Sequence, residues 1–213
     1  DVYKRQVPTL TLRGTSTPAI ASGIAVAGFD GGRVVGITLQ AGQPLWETRV
    51  AIPTGRSELE RMVDIDGDIQ IIDETIYVAT FQGRTAALDL QSGTILWRRD
   101  MSSHTGLGVD DSAVYVTDEE SHVWALDRES SASIWRQSEL LARGVTTPVG
   151  FGDYVVVGDF EGYIHVLRRD DGEFVARERI DSDGIIATPI VGEETLYVYS
   201  RGGTLTALRL TAN

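Results

Sequence analysis

The sequence predicts an all-β fold, a β-propeller of four-stranded antiparallel blades, present as an incomplete arc of about four to five blades. Three observations predict it. A phrase of Gly, then Ala-Leu-Asp or a variant, a turn Gly and then Trp recurs along the chain. Its copies begin 51, 38, 41 and 41 residues apart. Short runs rich in β-branched and aromatic residues lie between them, as in antiparallel sheet.

The clearest copy runs from Gly83 to Trp97, and Gly32 to Trp46 matches it without a gap. Ser121 to Trp135 keeps Ala125-Leu126-Asp127. Gly162 to Ala176 keeps Gly172 but has Ala in place of Trp, and Gly203 to Leu210 stops before the Trp position. A second strand-like run precedes each copy: Ile24–Gly28, Ile76–Thr80, Val114–Thr117, Val155–Gly158 and Leu196–Tyr199. Before most of these stands a third, opened by Thr17-Pro18, Thr147-Pro148 or Thr188-Pro189. The repeats are expected at about 16–50, 68–101, 106–138, 146–180 and 187–210, with an inserted loop at 52–67.

Each residue type in the phrase has a physical task. The Gly before the third strand permits positive φ in a tight turn, and Gly42, Gly93 and Gly172 do the same before the fourth. Asp89 and Asp127 can accept nearby backbone amides and hold that turn. Trp46, Trp97 and Trp135 are apolar plates that can seal one blade against the next, each with an N–H that needs a partner.

Composition narrows the function classes. At 213 residues, with 42% hydrophobic and 23% charged, the chain is globular and long enough for one sizeable core. A formal charge of −12 argues against a nucleic-acid partner. The absence of cysteine removes disulfides, thiol catalysis and Cys-based metal sites, and suits either cytoplasm or periplasm. No run is long and apolar enough to span a membrane as a helix. His104, His122 and His165 form no metal-ligand spacing, and surface or inter-blade roles are expected for them.

The repeated phrase resembles the PQQ-like (quinoprotein) propeller repeat, which dehydrogenases, sensors and scaffolds share, so it does not give function. The interruptions are more specific. Pro8-Thr9-Leu10-Thr11-Leu12-Arg13-Gly14, the insertion from Gly55 to Asp68, Ser138-Glu139-Leu140-Leu141 and the stretch from Val157 to His165 resemble the BamB family. These are propeller lipoproteins of the outer-membrane β-barrel assembly machine. The resemblance runs from about Val7 to the end, and the family's ring has eight blades, so about half is present. It implies a non-catalytic scaffold that binds the POTRA region of BamA and promotes insertion of outer-membrane proteins, with nascent outer-membrane proteins as a further partner. It also implies no cofactor, a place at the periplasmic face of the outer membrane, and a lipid anchor upstream of Asp1. The family's contact residues carry over to Leu10, Leu12, Arg13, Asp64 and Asp66.

The residues themselves leave alternatives open. Leu10 and Leu12 alternate with Thr and share one side of an extended segment, either as an exposed apolar anchor or packed inward. Arg13 can pair with a partner carboxylate or carbonyl. Asp64 and Asp66 can pair with Arg13, with a basic partner residue, or sit in a solvated loop. Arg56, Glu58, Glu60 and Arg61 suggest a short polar helix. A quinone-dependent dehydrogenase would need a cofactor pocket, an ion and a catalytic aspartate, for which no cluster stands out beyond the repeat's own aspartates. A calcium loop starting at Asp64 would need Glu at its twelfth position, where Thr75 stands. A generic periplasmic sensor or interaction propeller remains the third alternative.

Asp1–Gln6 does not fit the repeat and holds the only lysine beside eighteen arginines. It can be written in codons as GAT GTG TAT AAG AGA CAG, a transposon end used to prepare sequencing libraries. We expect it to be translated adapter. Assembling the locus from reads prepared without that adapter should replace these six codons; their reappearance in frame would refute the expectation.

Overall fold

The computed structural model describes residues 16–52, 63–65, 67–81 and 83–209. The chain divides into two compact units, one up to Gly106 and one from Leu107. The first unit holds two four-stranded sheets. One is β1 (Ala19–Ala21), β2 (Ile24–Phe29), β3 (Arg33–Thr38) and β4 (Pro44–Arg49). The other is β5 (Gln70–Ile72), β6 (Thr75–Ala79), β7 (Thr85–Asp89) and β8 (Ile95–Arg99). The second unit holds β9 (Leu107–Val109), β10 (Val114–Thr117), β11 (Val123–Leu126) and β12 (Ser133–Gln137). Then come β13 (Val149–Phe151), β14 (Tyr154–Gly158), β15 (Tyr163–Arg168) and β16 (Phe174–Arg179), and a three-stranded sheet of β17 (Ile190–Val191), β18 (Leu196–Tyr199) and β19 (Leu205–Leu208). Every sheet pairs its strands in chain order and antiparallel, as in a blade.

Alternation along the strands places one face of each sheet against its neighbour. In the first unit, Ile24, Val26 and Val34 of one sheet join Ile76, Val78, Ala86 and Leu88 of the other in a single core cluster. In the second unit, Tyr115, Ala125 and Trp135 meet Val155, Val157 and Leu167. The opposite face of that middle sheet, with Val156, Ile164 and Val166, meets Leu196 and Val198.

The Trp strand explains the Ala of the repeated phrase. Across the strands, Tyr77 aligns with Ala87 and Trp97, and Tyr115 with Ala125 and Trp135. The small central residue lets the ring lie across it towards the tyrosine, with centroids 6.2 Å apart in both sheets. In the first sheet Gly36 fills the central place, where a Cβ would overlap the Trp46 ring.

Trp46 and Trp135 then reach the next sheet of their units. Trp46 Nε1–H donates to the Leu90 carbonyl at 2.9 Å, and Trp135 Nε1–H to that of Arg169 at 2.6 Å. The rings lie over Gly93 and Gly172, where an added Cβ would come within 2.5 Å of ring carbons. Those glycines have φ of 67° and 73°, so backbone conformation and space both demand glycine there. The same turn closes with Gly42 at φ 62° and with Ser131 at 59°. Asp89 Oδ1 accepts the Ser92 amide at 2.8 Å, and Asp127 Oδ1 the Ser130 amide at the same distance.

Gly83 departs from expectation. Gly32, Gly162 and Gly203 have positive φ at the matching place, as does Ser121, but Gly83 does not. What excludes a side chain at Gly83 is space: a Cβ would overlap Thr80 Oγ1 and approach Val63.

The fourth strands share a feature that the sequence does not announce. The register slips once in each four-stranded sheet, between Gly36 and Ile37, Ala87 and Leu88, Ala125 and Leu126, and Val166 and Leu167. The extra residues are Leu45, Leu96, Ile134 and Val175, all exposed. A bulge on the outer strand twists it and interrupts a flat edge that another strand could join.

The two glycine classes give a test. Gly42 has nothing within 4 Å of a built Cβ, whereas Gly93 abuts Trp46. Gly42→Ala should cost about 1–2 kcal/mol from backbone strain, and Gly93→Ala roughly 2–5 kcal/mol once overpacking is added. Equal losses in urea melts would show that the tryptophan is not held against the turn.

Candidate partner-binding site

Of the residues expected to contact a partner, Leu10, Leu12, Arg13 and Asp66 lie outside the described residues, as does the suggested helix at Arg56, Glu58, Glu60 and Arg61. Asp64 is described, and it does not sit in a solvated loop. It is 2% exposed between Val63 and Ile65, both also buried. Its Oδ1 accepts the Gly31 amide at 3.1 Å, and its carbonyl accepts the Phe81 amide at 2.9 Å. The equivalent carbonyls elsewhere belong to Arg143, which accepts from Phe160, and Gly184, which accepts from Arg201.

Ile65 shows why this segment is fixed. Its side chain packs on Gly28, where a Cβ would come within 2.5 Å of it. Ile185 packs on Gly158 in the same way in the second unit. Chain entering the next blade is therefore threaded over a glycine of the preceding one. Asp68, which follows in the calcium-loop pattern, is exposed while Asp64 is buried.

A recurring polar position emerges at the turn after the second strand. Thr80, Asp118, Asp159 and Ser200 are 38, 41 and 41 residues apart. Each side-chain oxygen accepts the amide four residues on, from Arg84, His122, Tyr163 and Thr204, at 2.6 to 3.0 Å. Phe29 stands there in the first blade, so the residue types alone give no common signal.

At Asp118 and Asp159 the turn gathers a histidine. Asp118 Oδ2 is 2.9 Å from His122 Nδ1 and accepts the Trp124 indole N–H at 2.8 Å. Glu120 joins them, and the potential ligand atoms of Asp118, Glu120 and His122 lie within 4.8 Å of one another. The Asp118 oxygens already serve backbone and ring donors, so a cation there would compete with them. His122 and His165 are both buried rather than at the surface, and His104 is exposed.

Asp159 is fully buried. Its Oδ1 accepts the Glu161 and Tyr163 amides, and its Oδ2 faces His165 Nε2 at 2.7 Å and the Arg143 guanidinium at 2.6 Å. Burial pushes this carboxyl up, but hydrogen bonds from His165, the Tyr163 amide and Arg143 outweigh it and hold it below the ordinary value. Asp181 is held down to about 2, first by the Ser200 hydroxyl.

Four-stranded blades sealed by tryptophan, with their variable chemistry in turns and an insertion, define a PQQ-like β-propeller. The family model described as outer membrane protein assembly factor BamB matches residues 2–137 and 132–212, and the chain belongs to that family. Outer membrane protein assembly factor BamB of Pseudomonas aeruginosa is 47% identical over 201 residues, 94% of this chain and 53% of the relative. The crystal structure of BamB from Moraxella catarrhalis superposes with a TM-score of 0.88 at 29% identity, over 98% of this chain and 62% of that one. A quinohemoprotein alcohol dehydrogenase from Pseudomonas putida is similar at a TM-score of 0.60 and 15% identity, which speaks to fold alone. The chain spans about half the length of the curated relatives it matches. The family is that of an assembly factor and not of a dehydrogenase.

The lowered Asp159 value fixes the sign of an acid effect. A carboxyl depressed on folding stabilises the fold above its unfolded value, near 3.8, and that contribution is lost as pH falls through the folded value. Between about pH 5 and pH 2, Asp159→Asn should flatten the fall in stability while lowering stability at neutral pH. Parallel curves for both proteins in urea melts would remove Asp159 from the acid transition.

Proposed function

We propose that this chain is part of a non-catalytic scaffold that binds the POTRA region of BamA and promotes folding and insertion of outer-membrane proteins. It works at the periplasmic face of the outer membrane, held there by a lipid anchor. The observation that carries this reading is the family match along nearly the whole chain together with the Leu-x-Leu-Arg and Asp-x-Asp segments. The scaffold also lies within reach of nascent outer-membrane proteins handled by the same machine.

The contact surface is assigned to Leu10, Leu12, Arg13 and Asp66. Two leucines on one side of an extended segment make a compact apolar anchor, and Arg13 adds a directional fork for carboxylate or carbonyl. Asp64 has a different part in this reading. Its carboxylate is buried on the Gly31 turn, so it acts as a positioning residue that fixes where the insertion rejoins the blade.

Leu12→Glu or Arg13→Glu in the full-length protein should weaken capture of BamA by at least about ten-fold, near 1.4 kcal/mol, with an unchanged melting curve. Asp64→Leu should lower stability by about 1–3 kcal/mol, because it strands the Gly31 amide. Wild-type capture of BamA by both the Leu12 and Arg13 variants would overturn the proposed contact, and loss of solubility would instead show that these side chains pack inward.

A further inference from the structure

The blade of β13 to β16 carries a cavity of about 420 Å³ that the scaffold reading does not use. Glu139, Leu140 and Arg143 form one wall, and Phe174 to Arg177 of β16 form another, with His165 between them. Glu139, Leu140 and His165 come from segments singled out in the sequence, Ser138–Leu141 and Val157–His165.

Charge in this region is unevenly matched. Asp159 and Glu161 are occupied by Arg143, whose guanidinium bonds both, and Asp159 also by His165, which leaves Glu139, among the described residues, as the one further carboxylate in the cavity lining against two arginines of β16. Arg177 and Arg179 lie opposite His165 and Tyr163 in the sheet register. Their guanidinium carbons stack 5.0 and 5.5 Å from the centre of the Tyr163 ring. Neither makes an ion pair among the described residues, in a chain of net charge −12. Stacking leaves the in-plane N–H groups of both forks available.

His165 supplies the second requirement. An ionised Asp159 can only accept, so His165 Nε2 carries the proton that faces it. With its proton on Nε2, the ring presents Nδ1 as an acceptor, and this buried nitrogen has no hydrogen-bond partner among the described residues. The Phe174 ring stands edge-on to the imidazole at 5.8 Å and gives the cavity an apolar wall with Leu140.

We propose that this cavity is a docking site for an extended acidic peptide segment. A side-chain carboxylate engages Arg177 and Arg179, a backbone N–H satisfies His165 Nδ1, and a neighbouring apolar side chain lies over Phe174 and Leu140. A simple anion would serve the arginines but offer the imidazole nitrogen no donor, whereas a peptide supplies both. The setting suits a peptide as well. All six residues of β16 are exposed, and among the described residues β16 pairs only with β15, so beyond the bulge at Val175 its outer edge from Ala176 to Arg179 is open to a short extended chain.

The test uses the full chain and a fluorescein-labelled, acetylated peptide of alternating Val and Asp, with its Val-Asn counterpart. Anisotropy titration at low salt should show binding of the Asp peptide, weakened about ten-fold or more by Arg177→Gln with Arg179→Gln and by the Asn replacement. The same charge loss at Arg98 and Arg201 should leave it unchanged. Nitrogen-15 resonances of the His165 imidazole should move on saturation of the unaltered protein, a readout that needs no variant to fold. Equal weakening by the control pair, or an unmoved His165 signal, would overturn the site while leaving the proposed BamA contact untouched.

Discussion

A tryptophan laid over a glycine turn is the contact on which the rest of this structure depends. Trp46 covers Gly93 and Trp135 covers Gly172, and each indole N–H is bonded to a carbonyl of the blade it covers. One side chain thus supplies apolar burial, a satisfied donor and a steric demand for glycine. The Ala or Gly in the central strand follows, because the ring must cross it. So does the left-handed turn, because it places a flat backbone under the ring. Where Ala176 replaces the tryptophan, the outer strand is exposed along its whole length, and the cavity beside His165 opens there.

A second constraint acts at the opposite end of each hairpin. Four blades place a polar side chain after their second strand, buried at Thr80, Asp159 and Ser200 and half-buried at Asp118, and use it to close the next turn. With threonine the closure is neutral, whereas the Ser200 hydroxyl also donates to the Asp181 carboxylate. With aspartate, two oxygens become available, and the surplus acceptor capacity draws in a histidine, an indole N–H or an arginine. The blade with Asp159 therefore holds a buried network of aspartate, histidine and arginine, and the one with Asp118 a half-buried pair of aspartate and histidine. The potential for recognition in this region arises from that surplus and from arginines left outside it.

Much of the fold was legible because its signals are local and repeated. Strand order, the turn glycines and the Asp89 and Asp127 turn bonds all follow from residue type at fixed spacing. The bulges at Leu45, Leu96, Ile134 and Val175 were not legible, since a one-residue slip leaves the hydrophobic run unbroken. Gly83 was misread because positive φ and lack of space select the same residue. The polar turn position was hidden by its chemistry, with Thr, Asp, Asp and Ser serving one purpose and Phe29 breaking the series.

The sequence by itself determined the repeat, the blade and, through the segments around Leu10–Arg13 and Asp64–Asp66, the family. It could do so because a repeated unit writes the same short-range contacts several times over. Only the tertiary structure decided that Asp64 is buried on the Gly31 turn, that His122 and His165 are internal, and that Arg177 and Arg179 stack on Tyr163 without an ion pair among the described residues. Those properties depend on which strands lie side by side, and residues far apart in the chain acquire their environment only when the blades pack.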